Sequence, residues 1–504
     1  MKKSICIIFL LVFSIVACSP VLKATQGERL FKEAQGLERK ADYFSADKAY
    51  HQAKPLLVEE GKSKLADQCR YAFTRMRQIT TTYPYEVDEV KKMIKEKYPE
   101  TTDSRINEVI AGGRLPHMTI EGKTYYFKDF MNTLFHLYPE FRVKEEAGAL
   151  GHQGKLMGLM GPFIHEQDPL KPGQTLTRPF SYSAAGEAVI PRDKLAEKGL
   201  LKVWMPLPLV NAAQQNLRIV SIYPEKYIKY PVKNDGDIGL VYFEIPLEEI
   251  KEDLKIGAKF NFIHYEEKFK VDPSNVGKYD KESYLYKRYT SSYKNLSITP
   301  AIAKTARKIA GDETNPYLIA KKFYDHIVYN LDYSYTPHEA LDVLNIPESV
   351  YVHQHGYGDC GAQSMYFAAL CRSIGIPAKA SGGMQLFPNP KTGCGDHFWA
   401  QFYLPNYGWI PVDTSVGQLA KYDPGMTDKE KHDFIEYFFG NMDPYRYLIQ
   451  VDVDVPLVPQ PDEPLAFSIV LQEPTAICAE MDENPGFLLS ESWKIIVKRE
   501  GDKN

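Results

Sequence analysis

Cysteine is scarce in this chain of 504 residues, which contains seven. Cys6 and Cys18 lie near the N-terminus, and the other five are scattered between residues 69 and 478. Cysteines so few and so widely spaced do not form a disulfide scaffold in a chain of this length. No two of them are separated by only two residues, so the spacing of a structural zinc site is missing as well. We therefore expect no metal site, and the sequence suggests no cofactor.

A strong excess of one charge is also missing. The chain has 61 Lys and Arg residues against 65 Asp and Glu residues, which gives a formal net charge of −4. No basic stripe with interleaved aromatic residues occurs, so we expect no nucleic-acid partner. A hydrophobic content of 44% and a charged content of 25% are typical of a folded globular protein. The length favours about three domains.

Long apolar runs are missing except near the N-terminus, where Lys2 and Lys3 precede an apolar run over residues 5–16. A run of about a dozen residues after a short charged start is typical of a secretory signal, because a membrane span needs about twenty. Residues 15–18 resemble a bacterial lipobox, in which Cys18 would be lipidated. The alternative is an ordinary signal peptide with an incidental cysteine. We predict an exported protein that its N-terminal lipid anchors to a bacterial cell membrane, on the periplasmic face or the cell surface.

Changes of pattern along the chain predict a multidomain α+β protein. Alanines and large apolar residues recur at helical spacing before residue 78, which resembles one tetratricopeptide-type hairpin with a third helix. Only one such unit is visible and solenoids need about three, so a helical stalk or packing domain is the favoured interpretation. Short strand-like runs between residues 175 and 265 predict a β-sandwich. The predicted segments are a signal peptide at 1–18, a helical region at 19–115, a connector with a small hairpin and a helix at 116–174, a β-sandwich at 175–295, an α+β domain at 296–445 and a C-terminal β region at 446–504.

Cys360 stands at the predicted start of a helix. An apolar helical pattern begins at Ala362 and ends before Gly375 and Pro377, residues that terminate helices. The unpaired N–H groups at a helix start lower the pKa of a thiol, and they also bind the oxyanion that forms when a thiolate attacks a carbonyl. The position of Cys360 therefore predicts a nucleophile.

His397 and Asp413 fall on two predicted strands that form a hairpin. The strand that His397 opens ends at strong turn residues around Asn406, and residues 409–413 lead back. In an antiparallel hairpin the early end of the first strand lies beside the late end of the second, so the two side chains become neighbours. A carboxylate beside an imidazole fixes its tautomer and stabilises its cation. The contact between Cys360 and His397 depends on the tertiary fold.

The region from residue 300 to 440 resembles the transglutaminase-like superfamily. The matching pieces are residues 358–360, the helix end at 371–378, residues 397–400 and residues 408–413. The resemblance covers under a third of the chain and implies a papain-like α+β core, with Cys360 as nucleophile, His397 as base and Asp413 as the residue that orients it. The zinc-binding cysteines of the deglycosylating branch are missing, and so is an acidic loop typical of a calcium site.

The predicted function is a lipid-anchored cysteine peptidase, amidase or acyltransferase that works through a thioester at Cys360. We favour hydrolysis over cross-linking because water is everywhere, whereas cross-linking needs a dedicated amine site. Peptides, proteins and cell-wall glycopeptides are the substrates to expect. The superfamily also includes members without activity. The alternative is therefore a catalytically inert, surface-anchored binding or assembly protein.

Several nearby residues have two interpretations each. Gln354 and Tyr333 are possible oxyanion donors, and so is Tyr335; the alternatives are a surface role for the glutamine and core or sheet packing for the tyrosines. His353 and His355 are expected to be solvated, because two histidines without a third ligand seldom bind a metal. Cys394 is either a free loop thiol or the partner of Cys360 in a reversible disulfide.

Overall fold

A computed structural model describes residues 24–142, 155–165, 170–171, 173–387, 394–467 and 469–501. The predicted signal peptide and Cys18 lie outside these residues. The predicted mixed α+β class is confirmed: helices form the N-terminal part, several sheets follow, and strands lie near the C-terminus. Within the described ranges, no helix combines the length and the apolar character that crossing a membrane requires.

Three helices connected by short loops open the described chain. They are α1 (Gln26–Arg39), α2 (Tyr43–Glu59) and α3 (Ser63–Thr82). Thr25 and Glu28 form a capping box at the start of α1, which satisfies N–H groups that the first turn leaves unpaired. Ala34, Tyr50 and Cys69 are buried in the cluster that these helices share. The alanines let the helices approach closely, as the helical spacing of the sequence predicted.

A small mixed unit follows the three helices. Its elements are β1 (Tyr85–Glu86), α4 (Val87–Lys97), α5 (Asp103–Ala111), β2 (His117–Ile120), β3 (Lys123–Tyr126) and α6 (Phe130–Leu137). This part of the predicted helical region contains two helices, α4 and α5, with a break between them. Pro99 disfavours helical backbone at the residue before it, and the Thr102 side chain accepts a hydrogen bond from the Arg105 N–H and so starts α5 anew.

The predicted connector contains a helix that the sequence analysis missed, α7 (Lys155–His165). The sequence analysis predicted an irregular segment here because the stretch contains several glycines and Pro162. Leu156, Met160 and Phe163 nevertheless recur at helical spacing and are buried in the main core. Tertiary packing therefore outweighs the weak helix propensity of this stretch.

Two groups of antiparallel strands form the first layers of the main body. They comprise β4 (Leu176–Ile190), β5 (Leu200–Pro206), β6 (Gln214–Tyr223), β7 (Leu240–Pro246) and β8 (Leu254–Lys268), followed by the short helix α8 (Tyr284–Tyr289). β8 lies between β4 and β6, and β5 pairs with β7. Alternate residues of both groups, such as Val203, Phe243 and Phe260, are buried in one core. The alternation follows the pleat, which directs every second side chain to the same face.

The α+β core comes next in the chain. Its elements are α9 (Pro300–Ala310), α10 (Pro316–Asn330), β9 (Asp332–Tyr333), α11 (His338–Leu344), α12 (Glu348–His355), β10 (Tyr357–Gly358), α13 (Cys360–Ser373), β11 (Ala378–Gln385), β12 (Gly395–Leu404), β13 (Gly408–Val412), α14 (Thr414–Tyr422) and α15 (Asp428–Tyr437). The central helix α13 is buried along most of its length and packs on β11 and β12. The start of this helix therefore faces the sheet.

The remaining elements are β14 (Asn441–Met442), β15 (Arg446–Gln450), β16 (Thr475–Ile477), α16 (Pro485–Ser492) and β17 (Lys494–Arg499). The sequence predicted that they form a separate C-terminal region. In the structure they instead complete sheets that earlier strands began. β15 pairs with β11, β16 with β5 and β17 with β4. The core sheet thus has the order β13-β12-β11-β15.

The predicted C-terminal β region also contains an apolar stretch that is not a strand. Residues 466–467 and 469–471 are irregular, although Ile469, Val470 and Leu471 are buried. Val470 packs on Gly382 of β11, where an added Cβ would lie only 2.4 Å from the valine side chain. The apolar run therefore fills the core without joining a sheet, a distinction that a short apolar run does not reveal.

Candidate active site

Cys360 is the first residue of α13, and Asp359 caps this helix. Asp359 Oδ1 accepts a hydrogen bond from the Ala362 N–H at 3.0 Å, as an N-cap carboxylate does. Gly361 follows the cysteine, and an added Cβ at that position would lie 3.3 Å from the Phe398 ring. The glycine therefore lets the start of α13 come close to β12.

The Cys360 thiol is half-buried, and some of the surrounding groups raise its pKa whereas others lower it. The backbone N–H groups of Phe398 and Gly361 donate to the sulfur and favour the thiolate. Burial is the largest influence and acts the other way, and the negative charges of Asp359 and Asp413 add to it, so the pKa of the thiol is raised well above its ordinary value. The expectation that the helix start lowers this pKa is therefore wrong in its net direction, because desolvation outweighs the N–H groups.

His397 and Asp413 form a buried hydrogen-bonded pair. His397 Nε2 lies 2.7 Å from Asp413 Oδ2, and the two residues are 6% and 0% exposed. When Nε2–H donates to the carboxylate, Nδ1 is the acceptor of the neutral imidazole. The hairpin of β12 and β13 produces this contact, since Asn406 and Gly408 adopt positive φ values of 77° and 88° in its turn. The structure thus joins the two residues through the hairpin that the sequence predicted.

Further donors hold the Asp413 carboxylate. Arg446 Nη1 donates to Oδ2 at 3.0 Å, whereas Oδ1 accepts from the Val416 N–H at 2.9 Å and from Ser415 Oγ at 3.1 Å. Burial acts to raise the pKa of Asp413, but His397 and Arg446 outweigh it and hold the pKa well below its ordinary value. Asp413 is therefore ionised and fixed in orientation.

Arg446 is a site residue that the sequence analysis missed. It is fully buried and bridges Asp413 and Asp443 through its two terminal nitrogens. Its guanidinium carbon lies 5.1 Å from the centre of the Trp399 ring. In the sequence, the arginine stands directly before a strand-like run that begins at Tyr447, and this position is its only signal. Arginine is almost never fully buried unless it is paired, so the sequence gives no reason to place it in the site.

Cys360 and His397 line one cavity of about 170 Å³. Its walls come from α6, from the segment around β9, from the end of β11 and from α14. The other lining residues are Asn132, His136, Tyr333, Tyr335, Gln385, Phe387, Ser415, Val416 and Leu419. The structure therefore brings the predicted nucleophile and base into one space, with Asp413 behind the base.

The N-terminal part of the chain forms one wall of this cavity, which the sequence did not predict. Asn132 Oδ1 accepts a hydrogen bond from the Tyr335 N–H at 3.0 Å. The His136 ring lies 5.0 Å from the Tyr333 ring, and burial lowers the pKa of His136 to about 4. Neutral His136 therefore packs against the site, and no local pattern links it to residues some 200 positions away.

The proposed oxyanion donors differ in position. Tyr333 and Tyr335 line the cavity, whereas Gln354 is exposed on α12 and is not among the residues that line it. Burial raises the pKa of Tyr333 well above its ordinary value, so its hydroxyl keeps the proton that a donor needs. The geometry therefore leaves both Tyr333 and Tyr335 as candidate donors, and it gives no support to the glutamine.

The histidine pair of α12 and the thiol of Cys394 are the other features that the sequence singled out. His353 Nδ1 lies 3.1 Å from the Tyr366 hydroxyl, and His355 packs on aromatic rings. Within the described ranges, no group of three or more His, Cys, Asp or Glu side chains is arranged to hold a metal ion. Cys394 is a free thiol whose Sγ lies 3.5 Å from the carbonyl oxygen of Ile495, and Cys360 is free as well.

Residues 303–414 match the family model described as "Transglutaminase-like superfamily". The matched range includes Cys360, His397 and Asp413, so the predicted resemblance is confirmed for this part of the chain. An uncharacterized protein of Haemophilus influenzae is 24% identical over 339 residues, which cover 61% of this chain and 88% of that protein. The match of residues 303–414 to the family model supports a cysteine-enzyme kind of function.

Solved structures resemble parts of this fold. A candidate cysteine protease from Cytophaga hutchinsonii has 12% identity and a TM-score of 0.38, over 65% of this chain and 93% of that one. The periplasmic domain of TgpA from Pseudomonas aeruginosa has 14% identity and a TM-score of 0.24, over 50% of this chain and 93% of that one.

Proposed function

We propose that this chain is a cysteine enzyme that opens amide bonds by acyl transfer to Cys360. The observation that carries the proposal is the single cavity that Cys360 and His397 line, with His397 Nε2 bonded to the buried Asp413 at 2.7 Å. An imidazole whose Nε2–H is fixed on a carboxylate offers Nδ1 as a base for the nucleophile. The match of residues 303–414 supports the same chemistry.

The proposed reaction has two halves. In the first, the Cys360 sulfur attacks the amide carbonyl carbon while His397 takes the thiol proton, and the carbonyl electron pair moves onto oxygen. When the carbonyl re-forms, the C–N bond breaks, the leaving amine receives the proton from His397, and a thioester remains. In the second half, His397 takes a proton from the attacking water, and the Cys360 sulfur leaves and regains that proton. The products are a carboxylic acid and an amine.

General-base catalysis fits the surroundings of the thiol better than a resting ion pair does. Burial raises the pKa of Cys360, so the thiol keeps its proton until His397 removes it during the attack. The ionised Asp413 then stabilises the imidazolium that forms. Arg446 supports this role because it helps to keep Asp413 ionised without occupying the cavity-facing side of the imidazole.

We propose that the oxyanion is bound by backbone N–H groups at the start of α13 and by the Tyr333 hydroxyl. Donors that are fixed before the reaction stabilise charge that develops in the transition state. Tyr333 lines the cavity with Cys360 and is half-buried, and the desolvation of its hydroxyl raises the pKa, so the hydroxyl stays protonated. Tyr333→Phe is therefore expected to slow acylation by about a hundredfold to a thousandfold, the loss typical for one oxyanion donor.

Hydrolysis is the favoured outcome, and peptides, proteins or cell-wall glycopeptides are the proposed substrates. Water needs no site of its own, whereas an amine acceptor does. A cavity of about 170 Å³ is smaller than the roughly 300–1,000 Å³ of pockets that enclose whole ligands. We therefore propose that only the part of the substrate next to the scissile bond enters it, while the rest of the chain lies outside.

The test of this function incubates the purified protein with a defined peptide library and detects new peptide ends by mass spectrometry. The wild type is expected to cleave, and Cys360→Ala and His397→Ala are expected to lose at least about a thousandfold in rate. Cys394→Ser, which removes the other half-buried thiol, is the matched control and should retain activity. Addition of a fluorescent primary amine separates hydrolysis from transfer, because only transfer attaches it to the peptide.

Two outcomes would overturn the proposal. Cleavage by folded Cys360→Ala would exclude Cys360 as the nucleophile. Lack of cleavage by the wild type, together with no thioester captured by hydroxylamine, would favour the inert binding or assembly protein instead.

We also propose that the protein is exported and anchored by a lipid at Cys18. The proposal rests on the charged start, the short apolar run and the lipobox-like residues 15–18. Mass spectrometry of the N-terminal peptide from native membranes should show a lipid on Cys18. Cys18→Ser should move the protein out of the membrane fraction, and an unmodified N-terminus that still carries residues 1–17 would contradict the proposal.

A further inference from the structure

A second array of a histidine and carboxylates includes Asp359, the residue that caps α13 directly before Cys360. His338, the first residue of α11, places Nδ1 at 2.8 Å from Glu348 Oε1 and Nε2 at 2.6 Å from Asp359 Oδ2. Glu348 is fully buried, and Asp359 directly precedes Cys360. Neither His338 nor Glu348 belongs to the proposed reaction, so their arrangement needs its own explanation.

Both ring nitrogens of His338 face carboxylate oxygens. A neutral imidazole has one donor and one acceptor, whereas the imidazolium donates from both nitrogens. Although burial acts to lower it, Asp359 and Glu348 raise the pKa of His338 well above its ordinary value. Burial raises the pKa of Glu348 but the pKa of Asp359 is lowered, because His338 and two backbone N–H groups outweigh its burial. His338 is therefore a cation, and Asp359 is its stronger anionic partner.

Asp359 is fixed by its neighbours and remains close to the sulfur. Its Oδ1 accepts from the Ala362 N–H at 3.0 Å, and its Oδ2 accepts from the Thr336 N–H at 3.1 Å. Its own N–H donates to Thr336 Oγ1 at 3.2 Å. The carboxylate thus caps α13, but after burial its charge is the largest influence that raises the pKa of Cys360. A like charge beside an ionising thiol disfavours the thiolate.

We propose that His338 is a positioning residue that offsets part of the charge of Asp359, so that the cap of α13 opposes ionisation of Cys360 less than an uncompensated carboxylate would. Asp359 supplies the oxygen that the helix start needs, and His338 supplies the compensating proton. Glu348 orients the imidazolium from the buried side. The inference rests on the proposed role of Cys360 as nucleophile, and it adds that the array behind the cysteine tunes its reactivity.

Other charged groups near the array pair with one another or line a neighbouring cavity. Asp342 lies on the same helix as His338 and pairs with Lys294, and Glu339 lies 3.8 Å from Lys128. A cavity of about 290 Å³ borders His338 and Asp359, and the remaining charged residues that line it are Lys128, Asp129, Glu339, Asp396 and Glu473. Most of these are acidic, so they do not replace His338 as the cation beside Asp359.

The experiment measures the rate at which iodoacetamide alkylates Cys360 as a function of pH, in the full-length protein. Quantification of the Cys360 peptide by mass spectrometry separates this thiol from the other cysteines. His338→Gln removes the cation but keeps a polar side chain of similar size. We expect the midpoint of the profile to rise by about one pH unit, which lowers the rate at a pH below both midpoints about tenfold.

Two further variants separate charge compensation from a structural role. Asp359→Asn keeps a side-chain oxygen for the cap but removes the charge, so its midpoint should not rise. The double variant His338→Gln with Asp359→Asn should return the midpoint towards that of the wild type, because the charge that needed compensation is gone. Equal midpoints in the wild type and His338→Gln would overturn the inference, and so would a double variant that keeps the full shift of His338→Gln.

The same profiles separate this inference from the proposed function. A wild-type profile that His397→Ala leaves unchanged would count against His397 as the base of Cys360, whatever His338 does. A loss of thermal stability in His338→Gln with no change in the alkylation midpoint would assign His338 a structural role and overturn the inference. Glu348→Gln, which keeps the shape of the array, should shift the midpoint in the same direction by a smaller amount than His338→Gln.

Discussion

At the scale of single residues, the candidate site depends on buried charges that compensate one another. Asp413 accepts hydrogen bonds from His397 and Arg446, and Arg446 also contacts Asp443. A buried ion retains its charge only when oppositely charged and hydrogen-bonding groups replace the water it has lost. The orientation of His397 therefore depends on an arginine that is not expected to touch the substrate.

Arg446→Met should be strongly destabilising, because it leaves two buried carboxylates without their cation. Removal of one partner of a buried ion pair costs about 3–5 kcal/mol. We expect a lower urea midpoint at neutral pH and a smaller difference from the wild type in acid, because Arg446 helps to hold the pKa of Asp413 low and that contribution fades as Asp413 takes up a proton. Arg105→Met is the matched control, since Arg105 pairs with Glu140 at the surface with 40% of its side chain exposed. The surface change should cost less than about 1 kcal/mol, and equal losses in the two variants would contradict the prediction.

At the scale of elements, the core sheet depends on small residues where strands come close. Gly383 of β11 pairs with His397 on one side and with Leu448 of β15 on the other. An added Cβ at Gly383 would lie 2.0 Å from the Tyr447 carbonyl oxygen, a distance that the backbone cannot accept without moving. The glycine therefore allows β15, which carries Arg446, to reach the strand beside His397.

Gly383→Ala should push β15 away from β11 and loosen the contact between Arg446 and Asp413. Overpacking of a filled interior typically costs about 1–3 kcal/mol, so both the urea midpoint and the activity should fall. Gly395→Ala, at the start of β12, is the matched control because an added Cβ there meets nothing within 4 Å. Similar stability and activity in the two alanine variants would show that the close approach at Gly383 does not matter.

Sequence patterns predicted the elements whose contacts are local. The turn residues around Asn406 and the strand-like run that His397 opens indicated the hairpin that joins His397 to Asp413. The apolar pattern after Ala362 indicated the helix start at Cys360. Arg446 was missed because its partner lies 33 positions away and on another strand. The wall formed by Asn132 and His136 was missed for the same reason, since only the tertiary fold brings α6 to β9.

At the scale of the whole molecule, the C-terminal part of the chain connects the N-terminal helices to the sheets. Both terminal nitrogens of Arg70 on α3 donate to the Glu463 carboxylate at 2.7 Å, and β17 pairs with β4 along its length. Arg77 of α3 also pairs with Glu491 of α16 at 2.8 Å. The two contacts of α3 join residues that are 393 and 414 positions apart, so the helices and the sheets should lose their structure together.

Buried neutral histidines in both parts predict that acid destabilises the folded chain. Burial lowers the pKa of His264 in β8 to about 3 and that of His136 in α6 to about 4, from 6.5. Between the folded and unfolded pKa values the unfolded chain binds more protons, so stability rises with pH in this window and is lost as pH falls from about 6.5. His264 alone should account for on the order of 3 kcal/mol between pH 6.5 and 4.

The urea midpoint, measured in steps across this range, gives the slope. His264→Gln should flatten the slope because a glutamine takes up no proton in the unfolded chain. The variant is expected to be less stable near pH 7, because it loses the packing of the imidazole. His51→Gln, at a half-exposed position on α2, should leave the slope as it is in the wild type. A slope that His264→Gln does not change would mean that folding does not lower the pKa of His264, which would contradict the prediction.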